Sequence, residues 1–370
     1  MPNEIQDSNQ LQNIREPETP ILKKRLYKKN KQNGQLKIGD HWNAITIIAL
    51  SQSSPLKAVA EFVENSIDAQ ATQIIIYRGK ESGEYYLKIV DNGNGIPRND
   101  QGQPNFQYVA THICDSIKRQ LKAKSTLGVQ GEFGIGLLSF WTVGEELIIR
   151  SVGNDNKIYQ MNLKKGNPKY EVTQSRSLFL PSGTELIVRP LLKGLKQLNG
   201  EKLQWYLASE LRNRILKTGV DIRIIDRVSR AEFKVEPKKY DGRKLGFTET
   251  TELKAAKIQF ELYLNEPNPE NKIALYRMGT RVLESITEFD FFQKSPWNLG
   301  FIQGYIDAPL LQLSPANRLG IIRDEAFETF CDSLKTIEEQ LEKEIQAQKK
   351  AEDEKATHDT LSAIQKALKV

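Results

Sequence analysis

The sequence predicts an α/β protein of two domains, and three observations carry that expectation. The chain has 370 residues, more than a typical single domain, so two cores are expected. Short apolar runs bounded by glycine, proline and charged residues recur through both halves and read as strands. Apolar residues at helical spacing mark helices among them. The first such stripe, Leu56, Val59, Ala60, Val63 and Ile67, is set to bury against a sheet.

Residues 1–40 are polar and read as a tail. Within them Lys23, Lys24, Arg25, Lys28, Lys29 and Lys31 place six cations in nine residues with no acid among them. Such a cluster can neutralise phosphates and release counterions, so contact with DNA is physically reasonable, and a solvated charged tail is equally so. A first domain is expected over 41–200, with strands at 73–78, 85–90, 146–151, 158–163 and 185–189. The run 85–90 reads as a buried strand ending at Asp91. A helix over 201–217 then links it to a second domain, 201–325, whose strands include 221–226, 259–264, 273–277, 280–283 and 300–306.

Beyond Asp324 the pattern changes. Phe327, Phe330, Leu334, Ile337 and Leu341 repeat at alternating three- and four-residue steps, which predicts an amphipathic helix with a narrow seam over 326–370. Its first two turns are expected to pack on the second domain. The stretch 346–355 is too polar for a core and is open to a coiled coil with a partner chain.

Composition narrows the class further. The net charge of +6 favours nucleic acid only weakly. Cys114 and Cys331, the two cysteines, are too few and too unpatterned for a disulfide framework or a zinc site. No stretch is apolar enough to span a bilayer and the N-terminus lacks a signal peptide, so a cytoplasmic address is expected.

Three motifs carry chemistry. In Ala58-Val-Ala-Glu-Phe-Val-Glu-Asn-Ser-Ile-Asp-Ala69, the residues Glu61, Asn65 and Asp68 stand at i, i+4 and i+7 and project from consecutive turns of one helix face. An amide oxygen there suits Mg²⁺, a hard cation commonly held by one or two protein groups plus substrate phosphates. Glu61, one turn earlier, could orient and deprotonate an attacking water. In Val90-Asp-Asn-Gly-Asn-Gly-Ile96, the glycines Gly93 and Gly95 force a turn at a strand end, and Asp91 beside that bare backbone can accept from the amino group of a flat heterocycle such as adenine. In Gly128-Val-Gln-Gly-Glu-Phe-Gly-Ile-Gly136, four glycines precede an apolar helix expected over 135–142, so backbone N–H groups and a helix N-terminus meet phosphate charge. A fourth element, Ser182-Gly-Thr-Glu-Leu-Ile-Val188, is a turn entering a strand, with Thr184 at the join. Alone, each has a plain reading as a solvated helix face, a surface turn or a glycine-rich loop. Together, in this order, they describe an ATP site.

With these motifs the chain resembles the GHKL ATPase superfamily, which includes gyrase-type topoisomerases, MutL mismatch-repair proteins, the heat-shock chaperone of ninety kilodaltons, histidine kinases and MORC proteins. The likeness is greatest to the MORC, MutL and chaperone branch, in the manner of a prokaryotic MORC-like protein. The resemblance implies a Bergerat-type α/β sandwich followed by a smaller α+β transducer domain and a C-terminal helix. It implies Glu61 as general base, Asn65 as Mg²⁺ ligand and Asp91 as the reader of adenine, with Asp68, Gly93, Gly95 and Ile96 shaping that end and Thr184 supporting the base. Gly128, Gly131, Glu132, Phe133, Gly134, Ile135 and Gly136 would line the phosphates. A lid over about 98–129, with Ser116, Lys118, Lys122 and Lys124, would fold over the nucleotide.

In the family a loop of the second domain sends a cation to the terminal phosphate. Arg318, in Leu311-Gln-Leu-Ser-Pro-Ala-Asn-Arg318, resembles that residue although MutL and MORC proteins use lysine, and Arg323 or Arg277 could serve instead. Arginine suits the role because its planar fork pairs two phosphate oxygens and stays charged. The implied protein is an ATPase using ATP and Mg²⁺, dimeric when ATP is bound and clamping DNA in repair, chromosome handling or anti-phage defence. A chaperone running the same cycle on protein clients is the alternative. A histidine kinase is a weak third, because only His41 precedes the ATP helix.

Overall fold

The computed structural model describes residues 41–51, 54–111, 136–175, 182–195, 198–247, 251–314 and 320–368. The basic tail expected over 1–40 lies outside them. Helix α1 (His41–Ser51) sets Trp42 edge-on against Trp141, ring centroids 5.8 Å apart. Helix α2 (Pro55–Asp68) begins at Ser54, whose side chain accepts from the Lys57 N–H, and at Pro55, which has no N–H to leave unpaired. Its expected stripe is wider than the sequence suggested, because Ala58 and Phe62 are buried beside Val59, Val63 and Ile67.

Strands β1 (Gln73–Glu81) and β2 (Glu84–Asp91) form a hairpin through Ser82 and Gly83, both at positive φ, the two-residue turn whose twist matches that of the strands. β2 is half-buried rather than a buried run. Leu87, Ile89 and Asp91 face inward, while Tyr85 is exposed, as expected where one face of an antiparallel sheet meets the core and the other meets water. After α3 (Phe106–Thr111), the segment Gly136–Thr142 is a 3-10 helix where an α-helix was expected. The hydroxyl of Ser139 donates to the Gly136 carbonyl and that of Thr142 to the Ser139 carbonyl, bonds to the i−3 position that favour the tighter winding.

Strands β3 (Gly144–Val152), β4 (Ile158–Lys164), β5 (Tyr170–Ser175), β6 (Thr184–Leu191), β7 (Asp221–Asp226) and β8 (Ala231–Lys234) complete an eight-stranded sheet ordered β5-β4-β3-β6-β2-β1-β7-β8. Its pairs are antiparallel apart from β1 with β7. This corrects the expected placement of 221–226 in the second domain, since β7 pairs with β1 from Gln73↔Asp221 to Arg78↔Asp226.

The helix expected over 201–217 is two helices, α4 (Gly200–Glu210) and α5 (Arg212–Thr218), with Leu211 between them at φ −108° and ψ 15°. At that break Arg212 turns to the second sheet, where its guanidinium lies between the rings of Tyr240 and Tyr305 and pairs with Glu261. Helices α1, α2, α4 and α5 cover the inner face of the large sheet and form the first core with it.

The second sheet, ordered β12-β11-β13-β10-β9, contains β9 (Arg243–Lys244), β10 (Gln259–Leu264), β11 (Ile273–Arg277), β12 (Thr280–Leu283) and β13 (Ile302–Asp307). A second core lies between this sheet, the short α6 (Thr251–Ala255) and α7 (Glu325–Ala367), around Phe292, Trp297 and Phe330. The seam of α7 packs further than its first two turns. Phe330, Leu334, Ile337, Leu341 and Ile345 are all buried, and Glu338 anchors both Trp297 and Lys294. Past Ile345 the helix continues without buried residues, and Leu361 and Ile364 are exposed. No helix among the described residues is long and apolar enough to cross a membrane.

This division of α7 is measurable. Leu334→Ala should cost about 2–5 kcal/mol of stability in denaturant unfolding, as a buried leucine truncation does. Leu361→Ala should stay within about 0.5 kcal/mol of the parent.

Candidate functional site

Four chain segments meet at the end of β2. Asp91 ends the strand on its inward face and is 6% exposed. Its Oδ1 accepts from the Gly93 N–H at 3.0 Å and the Thr184 N–H at 3.2 Å, and its Oδ2 accepts from the Ser66 hydroxyl of α2 at 2.9 Å. Burial pushes the Asp91 carboxyl above its ordinary value, and the bonds from Gly93, Ser66 and Thr184 pull it part of the way back.

An ionised carboxylate offers about four acceptor positions, and these three bonds fill three of them. The remaining one, on Oδ2, suits an exocyclic amine, which is the fit expected of a site for adenine.

Bare backbone surrounds this carboxylate. A Cβ at Gly93 would stand 2.7 Å from the Ala69 carbonyl oxygen. Gly183, at φ +82°, is more constrained still, for a Cβ there would fall 2.0 Å from the Asp91 carbonyl oxygen. Gly95 lies against Ser151 and Gly183, and the Ile96 N–H donates to the Ser151 hydroxyl at 3.2 Å, which holds the turn after β2 onto the end of β3. Thr184 contributes its backbone N–H, and Ile96 is buried. Ser66, Ser151 and Gly183 carry no signal of their own in the sequence. A serine inside an amphipathic helix disturbs no periodicity, and Ser151 becomes informative only once β3 is registered against β6.

On α2, Glu61 is 2% exposed and Asn65 is exposed one turn later. Asp68 does not simply continue their row. Its carboxylate, with that of Glu64, is taken by Arg214 of α5. Gly136 opens the 3-10 helix, and α2 packs against that segment.

Ser116, Lys118, Lys122, Lys124, Gly128, Gly131, Glu132, Phe133, Gly134, Ile135 and Arg318 lie outside the described residues. Of the two other arginines considered for the terminal phosphate, Arg277 donates to the Leu311 carbonyl at 2.6 Å, and the exposed Arg323 is 3.8 Å from Asp290. Among the described residues no group of three or more His, Cys, Asp or Glu side chains is placed to hold a metal. A Mg²⁺ site built from an amide and substrate phosphates is of a different kind, and the exposed Asn65 amide suits that kind.

Residues 53–177 match the family described as histidine kinase-, DNA gyrase B- and HSP90-like ATPase. The DNA mismatch repair protein pms1 of Schizosaccharomyces pombe is 27% identical over 254 residues, which cover 68% of this chain and 28% of that protein. The DNA mismatch repair protein MutL of Thermodesulfovibrio yellowstonii is 31% identical over 137 residues, 37% of this chain and 23% of the relative. MutL of Bacillus mycoides is 36% identical over 138 residues, covering 37% and 20%. The matched region thus spans 20% to 28% of the length of these three relatives.

The buried carboxylate has a cost that a variant exposes. Its raised pKa means that the folded state favours the protonated form, so its contribution to stability is full below the unfolded value, near 3.8, and is lost as pH rises through the folded value. Asp91→Asn keeps the shape without that loss. Its melting temperature relative to the parent should therefore rise between pH 4 and pH 7, while calorimetry should show tight ATP binding abolished, because an amide nitrogen cannot replace the missing acceptor.

Proposed function

We propose that this chain, which belongs to the MutL branch of the GHKL ATPase superfamily, binds and hydrolyses ATP with Mg²⁺ and acts as a nucleotide-gated dimeric clamp in a DNA-related process, in the cytoplasm. One observation carries the nucleotide part. The buried Asp91 carboxylate is held from three sides by Ser66, Gly93 and Thr184, with an acceptor position left over, at a corner where added Cβ atoms would clash.

The roles follow from chemistry and from the family. Asp91 takes the adenine amine, and Gly93, Gly95 and Ile96 form the floor beside it. The hydroxyl of Thr184 supports the base through water. Asn65 holds Mg²⁺, which when bound neutralises phosphate charge. Gly128, Gly131, Gly134 and Gly136 bring backbone N–H groups to the phosphates, and Ser116 and Lys118 belong to the lid that covers them. Glu61, 2% exposed, orients a water and takes its proton. Arg318 reaches the terminal phosphate. The division into a nucleotide domain, a transducer and a helix from 326 is part of the same reading, with the boundary between the first two falling between Val235 of the first core and Leu245 of the second rather than at 200.

Support for DNA comes from the names of the relatives, which are mismatch repair proteins, and from the six-cation cluster Lys23–Lys31. DNA repair is the process these favour. DNA binding that weakens steeply with salt separates this reading from a chaperone on protein clients.

Glu61→Ala should bind ATP with Mg²⁺ and hydrolyse it at least ~100-fold more slowly, the scale of losing a general base. Near-normal turnover in that variant would sink the assignment. For the clamp, a non-hydrolysable ATP analogue should move the parent from monomer to dimer in light scattering, and ADP should not. The same mass in apo, ADP and analogue-bound states contradicts nucleotide gating.

A further inference from the structure

The helix that carries Glu61 and Asn65 is tied to the second sheet by charge. The β11–β12 hairpin turns at Met278 and Gly279, both at positive φ, and its tip meets α2 and α5. There the Thr280 hydroxyl donates to Glu64 Oε1 at 2.6 Å, and Arg214 Nη1 donates to the same oxygen at 3.1 Å. Arg214 Nη2 reaches on to Asp68, one turn along α2.

A second tie lies at the start of α2. Glu210 of α4, its side chain 3% exposed, accepts from Lys57 of α2 and from Arg281 of β12, the latter at 3.1 Å. Arg281 also donates to the Ser209 hydroxyl at 3.0 Å and lies over the ring of Tyr206. Lys57 reaches the Arg281 carbonyl at 3.4 Å. Lys57, Arg214 and Arg281 face Glu64, Asp68 and Glu210, so the joint is balanced in charge.

The two ties differ in what they do for the candidate site. Glu64 is adjacent in sequence to Asn65 and three residues from Glu61, and a helix moves as a unit over so short a span. Hydrogen bonds to charged groups are discrete and directional, unlike apolar packing, so such a contact has a made and a broken state.

We propose that Glu64 is a positioning residue. Its contact with Thr280 and Arg214 fixes α2 on the β11–β12 hairpin, so that the hairpin sets the placement of Glu61 and Asn65 and in turn senses occupancy of the nucleotide site. The sensing rests on the ATP reading given above, and reciprocity follows because any coupling between two sites acts equally in both directions.

Thr280→Val tests this with little disturbance, since valine keeps the shape and the β-branching and removes only the hydroxyl donor. In the nucleotide-free variant, amide hydrogen exchange of residues 55–68 should quicken by about tenfold, the scale of one lost hydrogen bond to a charged group. Its kcat for ATP should fall about tenfold or more, and its affinity for a non-hydrolysable ATP analogue should fall several-fold, the first reading a misplaced Glu61 and the second the binding coupling that sensing requires. Glu64→Ala should reproduce both effects. Glu64→Gln, which keeps an acceptor for Thr280, should restore kcat to within about threefold of the parent. In the parent, a non-hydrolysable ATP analogue should slow exchange in residues 276–283, and in Thr280→Val it should not.

If α2 exchange and kcat in Thr280→Val equal those of the parent, or if the variant melts lower with kcat unchanged, the proposal is overturned. A parent that binds no ATP defeats the nucleotide reading instead. In that case the exchange of α2 in the nucleotide-free variant still decides whether Thr280 and Glu64 hold the helix.

Discussion

A carboxylate taken out of water must be met by donors, and the first half of this chain is arranged so that Asp91 is. The donors come from three places that are distant in sequence, the fourth turn of α2, the turn directly after β2 and the first residue of β6. The Gly93 bond is local to the turn, while the Thr184 bond requires the strand registers to be correct. β2 pairs with β1 through Asp91↔Ile74 and with β6 through Val90↔Glu185, while Ser151 at the end of β3 pairs with Thr184. A slip of one residue in any of these would turn Asp91 or its partners to the opposite face. The corner around Asp91 is therefore a property of the sheet, to which α2 adds Ser66.

That helix is held at more than one point. Ser66 binds it to Asp91, Glu64 and Asp68 bind it to α5 and the β11–β12 hairpin, and Lys57 binds it to Glu210. Its apolar stripe supplies the burial, and these polar contacts fix its rotation and its position along its axis. The second sheet thus reaches the nucleotide end through hydrogen-bonded charges, which can change partners, while each core remains packed within itself.

Much of this was legible in the sequence. The α2 stripe, the i, i+4, i+7 spacing of Glu61, Asn65 and Asp68, and the Asp-Asn-Gly turn at Asp91 are local patterns, and the strands expected from their apolar runs form within a few residues of those positions. What escaped was set by tertiary contact. Strand 221–226 was recognised as a strand, yet its partner was not, because Arg78 and Asp226 are 148 residues apart and nothing local announces a parallel pairing of that range. The break at Leu211 goes with the attachment of Arg212 to Tyr240, Tyr305 and Glu261, and helical periodicity runs through it undisturbed. The 3-10 winding at Gly136–Thr142 depends on hydroxyl bonds that an apolar pattern does not encode. Asp68 fell on the expected helical row, but an arginine from a later helix draws its carboxylate away.

The central claim is that the Asp91 corner reads adenine. A carboxylate acceptor discriminates by what the base presents to it, an amine in adenine and a carbonyl oxygen in guanine, so the most direct measurement is calorimetric titration of the parent protein with ATP and with GTP under the same Mg²⁺ concentration. The account predicts tight binding of ATP and weak or undetectable binding of GTP. Equal affinity for the two nucleotides would contradict it.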